Sequence, residues 1–231
     1  MDKETLEQAF DARFPLKMKE KLRKARVAIA GLGGLGSNIA VMLARSGVGH
    51  IRMIDFDVVD VTNLNRQVYT IPHVGKYKTE ALEEILMQIN PYLDYEFRKE
   101  KVTMENIREL FTGYSIVCEA FDRADQKAML VQELLTQFSD TIVISGNGMA
   151  GFGASNEIQT KQKLRRLFVC GDEKTDIADG MGLMAPRVTI CAAHQANKVL
   201  QLIIEEKEEV KNGNFLCPPK EWRSEEDRKD R

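Results

Sequence analysis

The residues with the most chemical promise are a glycine run and the polar residues that follow it. Residues 31 to 36 read Gly-Leu-Gly-Gly-Leu-Gly, so Gly31, Gly33 and Gly36 form a Gly-x-Gly-x-x-Gly pattern, with Gly34 inside it. Such a turn lets the backbone approach a phosphate closely, and a following helix offers free N–H groups to the anion. Asp55 lies 19 residues after Gly36, where an acid that binds ribose belongs, and Asp57 follows it. Next come Asn63, Asn65, Arg66 and Gln67, and then Lys78. Arginine clamps phosphate oxygens bidentately and lysine supplies a compact charge. Together they suit a triphosphate better than a nicotinamide, and both would offset negative charge crowding during nucleotidyl transfer. The bland alternatives are a structural glycine turn and a solvated loop with ordinary surface charges.

Elements must place these groups. Val27-Ala28-Ile29-Ala30 reads as a buried parallel strand before the glycines, and Asn38 to Arg45 has helical spacing after them. Ile51 to Ile54 is a second strand, followed by a polar loop over 57–76. A helix over 77–89 stops at Asn90-Pro91, and 92–98 alternates like a strand. A helix over 104–111 is expected with Thr103 as its cap, then a strand over 114–118, a helix over 125–137 and a strand over 141–144. Alternating strands and helices imply a doubly wound α/β fold, with a mostly parallel sheet covered on both faces. Past residue 145 glycines punctuate the chain, and 155–169 reads as short antiparallel strands. A loop over 171–186 ends at Pro186, and a helix spans 188–204. Residues 4–25 read as one amphipathic helix with Leu6, Phe10, Phe14 and Leu22 on its apolar face. The expected division is a helical extension over 1–25, a nucleotide-binding domain over 26–206 and a charged tail over 207–231, disordered by composition. Ten of residues 219–231 are charged.

Asp122 follows the strand over 114–118, where ligands gather in open parallel sheets. A carboxylate there can hold Mg²⁺ together with substrate phosphates, or simply cap the next helix. The four cysteines, Cys118, Cys170, Cys191 and Cys217, are scattered and form no Cys-x-x-Cys, so neither a disulfide framework nor structural zinc is expected. Cys191 and His194 share a helix face, and packing explains them better than a metal does. Met181 and Met184 suit either a flexible partner surface or core filling. With 33 basic and 35 acidic residues the net charge is −2, which gives no electrostatic case for nucleic acid or membrane binding. No apolar run approaches the roughly 18 residues of a spanning helix, and the charged start lacks a signal-peptide core, so a reducing cytoplasm is the expected location.

Gly-x-Gly-Gly-Leu-Gly, Asp-x-Asp, Asn-Leu-Asn-Arg-Gln, the lysine and the strand-end aspartate, in this order, resemble the ThiF/MoeB/HesA family, bacterial relatives of ubiquitin-activating enzymes. The resemblance covers roughly residues 10–206. Val169-Cys170-Gly171-Asp172 with Gly182-Leu183-Met184-Ala185-Pro186-Arg187 looks most like the short ThiF-like branch associated with thiamine biosynthesis. The resemblance implies a homodimer that uses ATP and Mg²⁺ to adenylate the C-terminal Gly-Gly of a small ubiquitin-like sulfur carrier, ThiS-like. It places Gly34 against the phosphates, Asp55 on the ribose, and Asn63, Arg66 and Lys78 on the triphosphate. Asp122 would hold Mg²⁺, and Arg13 would reach the other subunit's site. The chain departs from relatives in lacking both zinc-binding cysteine pairs. It has Ile177-Ala178-Asp179 where some carry a loop cysteine, and Asp122-Arg123 where Asp-Asn is usual. Rival readings are a tRNA-threonylcarbamoyladenosine dehydratase of the same superfamily, an NAD-dependent oxidoreductase, for which no substrate acid–base pair is visible, and a non-catalytic scaffold, which has no use for Arg66, Lys78 and Asp122.

Overall fold

Apolar runs with little alternation are the mark of strands buried on both faces, and five of them build the centre of this protein. The computed structural model describes residues 2–205. The tail over 207–231 and Cys217 lie outside them. The strands are β1 (Arg26–Ala30), β2 (His50–Ile54), β3 (Asp94–Arg98), β4 (Ile116–Glu119), β5 (Ile142–Gly146), β6 (Gln159–Leu164) and β7 (Leu167–Gly171). They form one sheet in the order β3-β2-β1-β4-β5-β7-β6, parallel throughout except for the β6–β7 hairpin. The doubly wound α/β class and the short antiparallel C-terminal strands are thus as the sequence implies.

Helices α1 (Lys3–Asp11), α2 (Leu16–Lys24), α3 (Gly34–Arg45), α4 (Lys78–Ile89), α5 (Ile107–Phe111), α6 (Ala124–Gln137) and α7 (Ala185–Ile204) surround the sheet. Leu22 of α2, Ile39 and Leu43 of α3, Leu82 and Leu86 of α4, and Cys191 and Val199 of α7 share a core with Val27, Ile29, Ile51 and Met53. On the other face Ile107, Leu110 and Phe111 of α5 and Leu130 and Leu134 of α6 pack on Ala28, Ala30, Ile54, Val117 and Val143. The split follows from strand pleating, which sends neighbouring side chains to opposite faces. Among the described residues no helix is long and apolar enough to cross a membrane.

Several boundaries differ from expectation. The helix expected over 4–25 is two helices, because Pro15 takes the N-cap position of α2 with ψ 138°, outside helical backbone. Helix α5 begins at Ile107 with Asn106 at its N-cap, not at Thr103. Thr103 instead donates its N–H to the Asn106 side chain at 2.8 Å, which makes a turn of the preceding residues. Pro186 lies inside the first turn of α7 rather than ending the loop, since that turn needs no N–H from it. The polar loop over 57–76 holds two 3₁₀ turns, Val61–Asn65 and Ile71–His73. At the sheet's edge β6 is mostly exposed, and its Lys161 and Lys163 meet Glu173 at 3.0 and 2.6 Å.

Helix α3 starts four residues earlier than its apolar spacing suggests, with the glycine loop as its first turn. A Cβ on Gly36 would stand 1.8 Å from the Gly31 carbonyl oxygen, so loop and helix meet backbone to backbone. Gly31 itself has φ +90° and lies against the Ala120 carbonyl. Gly36→Ala should therefore destabilise the fold by at least about 1–3 kcal/mol, the usual cost of forcing extra volume into a packed site. A thermal melt that matched the unsubstituted protein would contradict this contact.

Candidate functional site

The strand order reverses at β1, which has β2 on one side and β4 on the other, and such a switch point opens a crevice at the carboxyl ends of the strands. A cleft of about 570 Å³ lies there. Gly31, Gly33, Gly34, Asp55, Asp57, Asn63, Arg66, Gln67, Lys78 and Asp122 all line it. Gly36, Asn65 and Arg13 do not. Gly36 is buried under the loop, and the Asn65 side chain turns away to donate to the Leu183 carbonyl at 3.1 Å. Arg13 sits exposed in the turn between α1 and α2, outside its own chain's cleft.

The glycine loop is pinned from two sides. Asp55, nearly buried at the end of β2, accepts the Leu32 N–H at 2.6 Å and the Asp57 N–H at 2.8 Å. Burial raises its pKa above the ordinary carboxylate value, and the Lys78 charge and those two N–H groups counter the rise only in part. Buried Tyr69 donates its hydroxyl to the Leu32 carbonyl at 2.9 Å and also reaches the Lys78 carbonyl at 3.4 Å. Helix α3 has no side-chain cap, so its first N–H groups remain for an anion in the cleft.

The 3₁₀ turn Val61–Asn65 carries the cationic side of the site. Asp60 and Asn63 cap it reciprocally, the Asp60 side chain taking the Thr62 N–H at 2.8 Å and Asn63 taking the Asp60 N–H at 3.1 Å. Arg66 donates one guanidinium nitrogen to Asn65 Oδ1 at 2.7 Å and to the Thr62 carbonyl at 3.2 Å. Lys78, the first residue of α4, holds its ammonium 2.8 Å from Asp57 and 3.9 Å from Asp55. Gln67 Oε1 is buried and has no partner among the described residues.

Across the cleft Asp122 is exposed at the rim. It does not cap α6. Arg123 occupies the N-cap position without a side-chain cap and pairs with Asp125 at 2.9 Å. The turn that presents Asp122 is fastened by Glu119, a residue the sequence reading passed over. Its carboxylate is fully buried and accepts from Lys127 at 2.8 Å, Ser145 at 2.5 Å and the Phe121 N–H at 2.7 Å. Gln195 of α7 reaches the Glu119 and Ile144 carbonyls at 3.1 and 3.0 Å. The only sequence signal was an acid inside an apolar run, where a carboxylate must be paired.

A second buried pair brackets a segment that walls the cleft. Arg187, 3% exposed, pairs with Asp172 and donates to the Ala154 carbonyl at 2.9 Å. Asp172 also accepts the Lys174 and Thr175 N–H groups at 2.8 and 3.0 Å and the Thr175 hydroxyl at 2.9 Å. Burial works against this carboxylate's charge, yet those donors and Arg187 together hold its pKa below the ordinary value. Between the two runs a strap, residues 173–184, whose Thr175, Asp176, Ile177 and Leu183 wall the cleft. The three described thiols are buried. Burial pushes Cys170 up to about 11 and raises Cys118 and Cys191 further. Cys191 is packed in the core, and His194 shares a hydrogen bond with Thr160 at 3.0 Å. Met181 lies over Gly151 and is partly exposed, as is Met184. Among the described residues no three His, Cys, Asp or Glu side chains cluster as a metal-binding group.

The sequence profile of the ThiF family matches residues 7–228. The chain belongs to the ThiF family. It is 29% identical over 197 residues to the molybdopterin-synthase adenylyltransferase of Salmonella typhimurium, covering 82% of this chain and 77% of that one. It is 36% identical over 130 residues to the tRNA threonylcarbamoyladenosine dehydratase of Haemophilus influenzae, covering 55% of this chain and 50% of that one. It spans 26 to 50% of the length of several curated relatives it matches. Its fold is that of the E. coli tRNA N6-threonylcarbamoyladenosine dehydratase solved in complex with ATP, with a TM-score of 0.78 and 23% identity over 86% of this chain and 93% of that one.

For this ThiF-family site, the buried Glu119–Lys127 pair makes the sharpest stability test. Lys127→Met leaves a carboxylate in the core without its cation and should cost about 3–5 kcal/mol in urea unfolding. The double variant Glu119→Gln/Lys127→Met should recover most of that loss. A single variant as stable as the parent would show that the pair bears no charge in the core.

Proposed function

We propose that this protein is an ATP-dependent adenylyltransferase. Its acceptor is the C-terminal carboxylate of a small, ThiS-like ubiquitin-like sulfur carrier ending in Gly-Gly, and its setting is cytoplasmic thiamine biosynthesis. The observation that carries the reading is one cleft lined by an anion-accommodating glycine loop, the buried Asp55, the cations Arg66 and Lys78, and Asp122 opposite them. The carrier's carboxylate oxygen attacks the α-phosphorus of ATP, the bond to the bridging oxygen breaks, and pyrophosphate leaves with the electron pair. An acyl-adenylate remains. Asp55 orients the ribose, the uncapped start of α3 receives phosphate oxygens, and Arg66 and Lys78 offset the charge that grows on them. This is catalysis by positioning and electrostatics, without a side-chain nucleophile. The burial of the three described thiols, Cys118, Cys170 and Cys191, accords with that.

Mg²⁺ commonly binds through one or two carboxylates plus substrate phosphates, and the exposed carboxylate of Asp122 at the cleft rim suits that donor set. It would supply charge neutralisation there. In this reading the acceptor's terminus lies against Gly146, Asn147, Gly148 and the strap, which also line the cleft, and the two glycines leave room for a glycine terminus. The identity to the Haemophilus dehydratase supports a second reading, in which the same site activates a carboxylate carried on tRNA.

The chain should exchange pyrophosphate into ATP only when Mg²⁺ and a Gly-Gly-ending carrier are both present. Arg66→Ala and Lys78→Ala should each slow exchange roughly 10²- to 10³-fold, as loss of a charge contact in the transition state does. Asp122→Ala should slow it similarly and raise the Mg²⁺ requirement. Exchange that responds to threonylcarbamoyladenosine-bearing tRNA instead would favour the second reading, and tight NAD binding with none for ATP would overturn both. The reading also includes a homodimer in which Arg13 enters the partner's cleft. Mixing Arg13→Ala with Arg66→Ala chains should then restore activity in heterodimers, and a monomer by sedimentation would refute the arrangement.

A further inference from the structure

The Asp172–Arg187 pair is not used by the chemistry above, and its placement is unusual for an ion pair of merely structural value. It joins the two ends of the strap. Asp172 follows β7 directly, and Arg187 stands in the first turn of α7. The carboxylate takes the N–H groups of Lys174 and Thr175, so it also sets the course of the strap's first residues. Glu173 is the one described non-glycine residue with positive φ, at 60°, and Lys161 and Lys163 hold it there. At the other end Gly180 and Gly182 have φ of 76° and 64°, and the Gly151 N–H donates to the Gly182 carbonyl at 2.8 Å. The Gly148 backbone fits against Asp172, where an added Cβ would lie 2.1 Å from its carboxylate. One carboxylate therefore ties the glycine segment, the strap and α7 together. Among the described residues Arg187 Nε is buried without a partner, so the pair is held at some cost.

We propose that Asp172 and Arg187 are positioning residues for the acceptor. Their ion pair latches the strap whose Thr175, Asp176, Ile177 and Leu183 wall the cleft, so that the wall against which the acceptor's terminus lies is formed before it arrives. This rests on the adenylyltransferase reading. Pre-forming that wall lowers the ordering cost of acceptor binding and leaves the nucleotide end untouched.

The test compares the parent with Asp172→Asn, Arg187→Gln and the charge-neutral double variant, which avoids an unpaired buried charge if the single variants fold poorly. Three quantities are read on the full chain: ATP affinity by calorimetry without acceptor, protease cleavage within 173–184, and pyrophosphate exchange against the concentration of a Gly-Gly-ending carrier. The latch requires faster strap cleavage, a carrier KM raised roughly tenfold or more, equivalent to about 1.4 kcal/mol, and ATP affinity within about twofold of the parent. Unchanged strap cleavage, an unchanged carrier KM, or ATP affinity lost in step with carrier affinity would overturn it. A parent chain that binds ATP but exchanges no pyrophosphate with carriers sinks the adenylyltransferase reading, and the acceptor role with it. The protease result then decides the latch alone.

Discussion

The contact of the Gly36 Cα with the Gly31 carbonyl sets the scale for everything around it. No side chain fits between them, so α3 begins as close to β1 as two backbones allow. That approach fixes where the first N–H groups of α3 open into the cleft. It also fixes how near the β4 turn must come, because Gly31 rests on the Ala120 carbonyl. Tyr69 and Asp55 grip the same loop at Leu32, from the polar loop and from β2. Displacing the loop by one methyl group would disturb three walls of the cleft at once.

Two buried ion pairs hold what the glycines leave open. Glu119–Lys127 fastens the turn before Asp122, and Asp172–Arg187 fastens the strap. Buried pairs of this kind seldom add net stability, because desolvation consumes much of the attraction. What they do supply here is definition. Each one receives several directional hydrogen bonds and fixes a loop that packing alone would leave loosely specified. The cleft thus has a rigid floor of parallel strands and walls set by polar contacts.

Much of this was legible in the sequence for a simple reason. The central strands are buried on both faces, and so read as apolar runs, unbroken at Val27–Ala30 and interrupted only by Arg52 at Ile51–Ile54. The glycine loop, Asp55 and Lys78 declared themselves by residue type and spacing. The missed features depend on tertiary partners. Pro15 divides the N-terminal helices, although the apolar spacing runs through it unbroken. Glu119 looked like any residue at a strand end until Lys127, Ser145 and Gln195 gathered around it from two helices and a neighbouring strand. Asp172 and Arg187, 15 positions apart, gave no sign that they meet across a loop. Asn65 belonged to a matching motif, yet its side chain does not line the cleft and instead joins Arg66 to the strap at Leu183.

The strand β6 carries a consequence for how copies of this protein meet. An open sheet invites a neighbour's strand to extend it, and β6 is an exposed edge. Its outward lysines, Lys161 and Lys163, share the single carboxylate of Glu173. Two such edges side by side would set four ammonium groups against two carboxylates, with little water to screen them. Sheet-to-sheet growth through this edge is therefore disfavoured, which protects a chain with a large parallel core from fibrous aggregation.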